Sequence, residues 1–278
     1  MPAAPVIQFR KETVAGFEQR VSMLRTTTTR EAVIKGNQAT FLVASSGGRG
    51  AVTRGDNGDL PYGQPNNVQR TVTLVEKHGT HEETGFNMFA SQGDQFGIMQ
   101  QSAMTDINVD IDKVIIAALN TATQTAGAAA TGNVAVVTKA MAILGANDVD
   151  TDNPDDLFAV VTPAFRAYLM QTAQFSSGDY VDTKPFAGST RKIWRWAGFN
   201  WIVSTKLPGI GTSSATSFFF HRASLGHAVN IGEENIDADY ESKHDRSWAR
   251  VTLYHNALLL QNSGVVKVLH DDSAMVAS

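Results

Sequence analysis

The chain has 278 residues, of which 42% are hydrophobic, so it is long enough to bury one large core or two modest ones. Its net charge of -4 at pH 7 excludes a protein that coats a nucleic-acid backbone with a basic face. The lack of cysteine excludes a disulfide framework and a thiolate metal site, and no run approaches the roughly 18 apolar residues that predict a membrane span.

The first predicted element is a short amphipathic helix over residues 11–25. Phe17, Val21 and Leu24 recur there at the spacings of one helical face. The next residues, TTTTREAVIKGNQ, are β-branched and polar, so they can be extended but have nothing of their own to pack on. This pattern predicts an arm that lies on another surface.

Residues 45–70 form a stretch of the sequence that cannot form a hydrophobic core of its own. They contain six glycines, two prolines and three arginines, without an apolar run that could be buried. The flanking segments, ATFLVAS and VQRTVTLVEKH, have the composition of strands. Together they predict a long two-stranded ribbon with a glycine-rich tip and no third strand. Because an isolated ribbon is marginal in water, it needs a partner surface.

One long helix is predicted between Ile98 and Ala126, which enclose no glycine or proline. Its buried stripe has helical spacing and consists of Ile107, Ile111, Val114, Ile115 and Leu119. A second helix follows in VAVVTKAMAILGAND, and LFAVVTPAFRAYLM predicts a buried strand that runs into a helix capped by Thr162. A hairpin turning at Ala197 and Gly198 and a mostly stranded last 60 residues complete an α+β chain.

Several motifs that carry chemistry in other proteins are incomplete in this chain. GGRGAVTRG has Thr53 where a dinucleotide motif needs its third glycine, and DVDTDNPDD lacks the glycine and the glutamate of a calcium loop. His78 and His81 are three apart on a predicted strand, so they point to opposite faces and cannot share a metal. We therefore predict no enzyme activity, no metal site and no cofactor.

The order of the parts resembles the major capsid proteins of tailed bacteriophages. The strings that carry the resemblance are FEQRVSMLRTTTTREAVIKGNQATFLV, RGAVTRGDNGDLPYGQPNNVQRTVTLV, DINVDIDKVIIAAL, LFAVVTPAFRAYLM, KIWRWAGFNWIVSTKLPG, FFFHRASLGHAVN and ARVTLYHNALLLQNSGVVKV. The resemblance implies a Hong Kong 97-type fold and a coat protein that assembles into an icosahedral head shell.

That family's organisation divides the chain into five parts. The resemblance implies an N-terminal arm over 1–38, an extended β-ribbon loop over 39–85, and a peripheral domain with the spine helix over 86–128. An axial domain over 129–236 and return strands of the peripheral domain over 237–278 follow.

The resemblance also implies which residues touch neighbouring subunits. The expected contacts of the extended loop are Arg49, Arg54, Asp56, Asp59, Tyr62, Arg70 and Lys77, and those of the arm are Phe17, Val21 and Leu24. Some members of the family crosslink through a lysine of this loop; here Lys77 is the loop's only lysine and lies near its base, so no crosslink is expected.

The implied partners are further copies of the chain, arranged as pentamers and hexamers in a closed shell. A separate scaffolding protein, a portal and a decoration protein are expected alongside them. The shell is expected to enclose double-stranded DNA without sequence-specific binding and without a membrane, and to assemble in the host cytoplasm before residing in the virion.

Two alternatives remain open at this point. An encapsulin-like shell of a cellular compartment would share the fold and would add an inner pocket for a cargo peptide. A host- or glycan-binding module would use the aromatic side chains of residues 194–201 as its platform, although their alternation in an apolar hairpin favours a core position.

Overall fold

The structure is a computed structural model that describes residues 19–30, 32–45, 50–60, 62–90, 94–127, 130–173, 194–230 and 235–276. Its helices are α1 (Gly85–Ala90), α2 (Gln95–Leu119), α3 (Val134–Ala146), α4 (Pro163–Met170) and α5 (Ser273–Val276). Its strands are β1 (Val33–Lys35), β2 (Gln38–Ser45), β3 (Asn66–Thr73), β4 (Val75–Thr84), β5 (Thr125–Ala126), β6 (Leu157–Val161), β7 (Trp194–Trp196), β8 (Phe199–Val203), β9 (Ala215–His221), β10 (Leu225–Val229), β11 (Asn235–Glu241), β12 (Arg246–Leu259) and β13 (Val265–His270).

The long helix α2 packs on a four-stranded sheet. Strand β12 is the centre of this sheet, with β4 along one edge and β11 followed by β10 along the other. Ile107, Ile111, Ile115 and Leu119 of α2 are buried between the helix and the sheet, and Val114 is half-buried. Together with side chains from other strands, among them Phe158 of β6 and Phe218 and Phe220 of β9, the stripe and this sheet form the larger hydrophobic core of the described residues.

Helix α2 is shorter than the apolar spacing predicted. The Asp94 side chain accepts a hydrogen bond from the backbone N–H of Gly97 and starts the helix, which ends at Leu119 rather than near Ala126. The last predicted residues, Thr125–Ala126, instead pair in parallel with β13. A strand partner 142 residues away along the chain, Lys267 opposite Thr125, therefore overrides the local preference for helix.

A second core lies on a six-stranded sheet in the order β5-β13-β9-β6-β8-β7. The predicted strand-to-helix unit is confirmed: the Thr162 hydroxyl caps α4 by accepting from the Phe165 N–H, with Pro163 in the first turn. The predicted hairpin is also confirmed, since Ala197 (φ 48°) and Gly198 (φ 76°) make the left-handed turn between β7 and β8.

The last strand of the chain belongs to this six-stranded sheet. Within residues 237–278, which the resemblance assigns to the peripheral domain, β13 pairs antiparallel with β9 along its whole length. Strand β4, at the end of the predicted extended loop, pairs with β12 from Val75 to Thr84. Hydrogen bonding to strands that are distant in the sequence therefore determines which sheet β4 and β13 join.

Phe199 and Trp201 of the hairpin face inward, so the alternative of an aromatic glycan platform is not favoured. Trp201 and Phe199 are fully buried, and both rings pack edge-to-face on Phe219. The indole N–H of Trp201 donates to the backbone carbonyl of Trp196 at 2.9 Å. These side chains belong to the second core and offer no stacking surface to a sugar.

The structure also corrects two predictions for the first 45 residues. Residues 19–25 contain no helix; the rest of the predicted helix, residues 11–18, lies outside the described residues. The ribbon has a third strand, because β1 pairs antiparallel with β2 through Val33 opposite Thr40. No helix within the described ranges is long and apolar enough to cross a bilayer.

Candidate functional site

The base of the ribbon is anchored on its own subunit. Phe41 of β2 is almost fully buried against Ala228 and Leu260. A Cβ added to Gly226 would lie 2.8 Å from the Phe41 ring, so only glycine lets this ring approach β10 so closely. The sequence reasoning missed this anchor because it found no surface within the chain for the ribbon.

Beyond Ser45 and Asn66, the ribbon becomes an exposed tip, defined here as residues 50–60 and 62–65. The tip contains no strand. It contains a turn, which is closed by a hydrogen bond of 3.0 Å from the Gly55 N–H to the Asp59 carbonyl. Val52, Leu60 and Tyr62 are 51%, 52% and 90% exposed. Three large apolar side chains in one loop are typical of a surface that another molecule covers.

The predicted contact residues of the extended loop do not all lie in this tip. Arg54, Asp56 and Asp59 are exposed within it, and Arg70 is exposed on β3. Lys77 lies instead on β4, where its Nζ is 3.5 Å from the Asp110 carboxylate of α2. Arg49 lies outside the described residues.

The segment of residues 19–30, called the arm segment here, is held by one buried carboxylate of the long helix. Asp112 accepts hydrogen bonds from the Ser22 hydroxyl (2.6 Å), from the backbone N–H groups of Met23 and Leu24 (3.1 Å each) and from the Gln19 amide. These bonds replace those of a helix, which explains why the predicted helix does not form here.

The arm segment exposes one predicted contact residue and buries another. Val21 is exposed, whereas Leu24 is fully buried in the core under α2. Phe17 lies outside the described residues. Leu24 therefore contributes to the attachment of the arm segment to its own subunit, and Val21 is the side chain that remains accessible.

We expect Asp112→Asn to lower the free energy of unfolding by about 2 to 3 kcal/mol, because the amide offers one acceptor oxygen where the carboxylate offers two to buried donors. Urea unfolding measures the loss, and amide hydrogen exchange at Met23 and Leu24 localises it. The matched control is Asp106→Asn, the same change on an exposed α2 carboxylate bound to His81, with an expected cost below about 0.5 kcal/mol. Equal losses in the two variants would contradict the role given to Asp112.

Farther along, the arm segment pairs with β10. The Thr29 N–H donates to the Leu225 carbonyl at 2.9 Å, and the His227 N–H donates to the Thr29 carbonyl at 3.0 Å. Gly226, between these two residues, is the glycine covered by Phe41 of the ribbon. Residues 225–227 thus hold both the arm segment and the ribbon base.

Comparison with known proteins gives this arrangement its context. A family model described as phage capsid protein matches residues 1–272. The chain belongs to the phage capsid protein family. None of the curated proteins compared with the capsid protein matched it by sequence.

Solved structures with the same fold cover nearly the whole capsid protein. A chain of Mycobacterium phage Che8 is 14% identical, with a TM-score of 0.71 over 96% of this chain and 97% of that one. A chain from the capsid of Ralstonia phage GP4 is 11% identical, with a TM-score of 0.72 over 98% and 97%. A chain from the head of Helicobacter pylori bacteriophage KHP40 is 13% identical, with a TM-score of 0.69 over 95% and 94%.

These findings confirm the resemblance seen in the sequence. The capsid protein has the Hong Kong 97-type fold and forms the shell of a phage head, as an oligomer and as part of the virion. The family is one of structural proteins. The encapsulin alternative is not favoured, because the matching family is that of phage capsids.

The capsid protein also contains a buried chain of serine, histidine and aspartate that the sequence did not reveal. Ser217 Oγ lies 2.7 Å from His270 Nε2, and His270 Nδ1 lies 2.8 Å from Asp272 Oδ1. Burial lowers the pKa of His270, and the nearby Asp272 opposes the shift. All three residues are buried, with Ser217 on β9, His270 at the end of β13 and Asp272 just after it, so the serine is not exposed to a substrate in this structure. The arrangement fixes the chain after β13.

Proposed function

We propose that the ribbon tip and the arm segment carry the contacts that join copies of the capsid protein into pentamers and hexamers of a closed shell. The observation that supports this most directly is the exposure of Val52, Leu60 and Tyr62 on a loop whose base is anchored. An anchored base with an uncovered apolar tip suits a loop that reaches a neighbouring copy.

Magnitudes indicate which tip residues matter most for such a contact. Covering a large apolar side chain contributes about 1.5 to 3 kcal/mol, whereas an exposed ion pair contributes about 0.5 kcal/mol. Leu60 and Tyr62 therefore outweigh the pairs that Arg54, Asp56 and Asp59 could make with a neighbour. The charged residues then serve mainly to select the register of the contact. Symmetry repeats the same contact at every equivalent interface of a closed shell.

The remaining sequence predictions form part of the same proposal. Arg49 and Phe17 are assigned to the loop and arm contacts, and Arg70 to the side of the ribbon. A scaffolding protein, a portal and a decoration protein are the further partners. The shell encloses double-stranded DNA without sequence preference, which is consistent with a net charge of -4, and assembles in the host cytoplasm.

Expression of the full chain followed by electron microscopy and light scattering tests the proposal. We expect closed shells of uniform diameter, in which rings of five and six copies can be counted after image averaging. The double variant Leu60→Ser/Tyr62→Ser should raise the concentration at which shells form by at least tenfold, because it removes apolar contact area worth more than about 1.4 kcal/mol. Shells that form equally well in this variant would contradict the assignment of the tip.

A further inference from the structure

Two buried histidines meet where the arm segment joins the four-stranded sheet. His227 of β10 and His255 of β12 are 0% and 1% exposed, with ring centroids 5.4 Å apart. His227 Nε2 lies 3.3 Å from His255 Nδ1, a hydrogen-bond distance that needs one proton between the two nitrogens. If both rings were protonated, two N–H groups would face each other and the bond would be lost.

The far sides of the two rings differ in what they meet. His255 Nε2 lies 3.3 Å from a carboxylate oxygen of Asp110 on α2, without the alignment of a hydrogen bond. His227 Nδ1 is buried, and no described residue gives it a hydrogen-bond partner. A proton on that nitrogen would place an unpaired donor in the core, which is costly.

The charged groups around the pair come from every element packed on it. Asp110 of α2 is the carboxylate, Lys77 of β4 is 3.5 Å from it, and Arg25 and Arg30 are the cations of the arm segment. Burial first, and then His255 and the two arginines, lower the pKa of His227 from 6.5 to about 3. Burial lowers the pKa of His255, against the opposing effect of Asp110.

The histidine pair is in contact with the arm segment and lies next to the contact that anchors the ribbon base. The backbone N–H of His227 donates to Thr29 of the arm segment, and the neighbouring Gly226 lies under Phe41 of the ribbon base. Moving His227 toward solvent so that it can hold a proton would therefore break the arm pairing and uncover Phe41.

We propose that the His227–His255 pair is an acid-sensitive latch, in which proton uptake by the pair releases the arm segment and loosens the ribbon base from β10. The proposal gives a regulation to the contacts proposed above. It is tested on the arm segment within one subunit, so that its failure and the failure of the shell contacts are distinguishable.

The sign of the pH dependence follows from the direction of the shift. In the released state the histidines regain ordinary pKa values near 6.5, so that state binds more protons than the latched state below this pH. The latched state is therefore fully favoured above about pH 6.5. As the pH falls toward 3, the ratio of latched to released molecules decreases roughly tenfold per pH unit for each proton that is taken up.

The test uses a fluorophore on the full chain. Because the sequence has no cysteine, Thr26→Cys creates a unique thiol at an exposed position of the arm segment that is not among the assigned contact residues. We expect the anisotropy of the label to fall between pH 6.5 and 4 while the far-ultraviolet circular dichroism and the light scattering stay constant, so that the change does not come from a loss of shells. In the His227→Gln/His255→Gln background the midpoint should move at least one pH unit lower. The same midpoint in both backgrounds, or loss of circular dichroism together with anisotropy, would overturn the latch.

Two further variants keep the test decisive. His244→Gln removes an exposed histidine of the β11–β12 turn and should leave the midpoint unchanged. If the double histidine variant does not fold, Asp110→Asn replaces it, since this side chain is partly exposed. Removing the carboxylate disfavours protonated His255 in the latched state and so widens the difference in proton affinity between the two states, so release should occur at the same or a higher pH. A midpoint at lower pH in Asp110→Asn would overturn the proposal.

Discussion

Gly79→Ala should lower the free energy of unfolding of the capsid protein by about 3 kcal/mol, at the upper end of what overpacking a core costs. A Cβ on Gly79 of β4 would lie 2.3 Å from the carbonyl oxygen of Ala103 and 3.1 Å from its carbonyl carbon. Both atoms belong to the backbone of α2 and cannot rotate away. The helix would have to lift from the sheet and loosen the packing of Ile107 and Ile111 below it.

Urea unfolding followed by tryptophan fluorescence measures this effect, and another glycine provides the matched control. Gly145 lies in α3, and a Cβ added to it would meet nothing within 4 Å. Gly145→Ala should therefore stabilise the protein by about 0.5 to 1 kcal/mol, because alanine favours a helix more than glycine does. If Gly79→Ala were as stable as the parent protein, α2 would not pack on β4 as closely as the structure has it.

Local signals in the sequence were sufficient for elements whose stabilising residues are neighbours. Thr162 and Pro163 predicted the start of α4, and Ala197 and Gly198 the turn of a hairpin. These features depend on hydrogen bonds and backbone angles within about four residues. The stripe of α2 was equally readable, because a buried face repeats with the helical period.

Features that join distant residues could not be read in the same way. Asp112 looks in the sequence like its neighbours Asp106 and Asp110, and only the course of the arm segment buries it. The histidine pair is similarly hidden, because His227 stands opposite Ala257 and His255 opposite Val229 in the strand register. Their rings meet diagonally across two strands, and no pattern along one strand predicts such a contact.

The ribbon was predicted in part for the same reason. Its two long strands and its glycine-rich tip follow from composition, whereas the third strand β1 depends on a pairing with β2. The anchor of Phe41 on Gly226 joins residues 185 positions apart. Both findings leave the base of the ribbon as part of the subunit, so the apolar contacts proposed for the ribbon come from its tip.

Removing the ribbon tip should abolish shell assembly without unfolding the subunit. Ser45 and Asn66 are the last paired residues of β2 and β3, so an Asn-Gly link in place of residues 46–65 closes a two-residue hairpin with suitable geometry. The buried side chains Ala39 and Phe41 and the whole of β1 are retained. We therefore expect a soluble chain whose circular dichroism and unfolding midpoint match those of the parent.

Size-exclusion chromatography and electron microscopy then read assembly separately from folding. The parent should elute as shells and the deleted chain as small species, because the deletion removes Val52, Leu60 and Tyr62 and, with them, the main apolar area that the tip offers to a neighbour. The Leu60→Ser/Tyr62→Ser variant serves as an intermediate, since it keeps the backbone of the tip and loses only part of that area. Shells from the deleted chain would show that assembly does not need the tip, whereas a deleted chain that cannot fold would place the tip in the subunit's own core. A graded loss, from parent to double variant to deletion, is the result that only an intersubunit role of the tip explains.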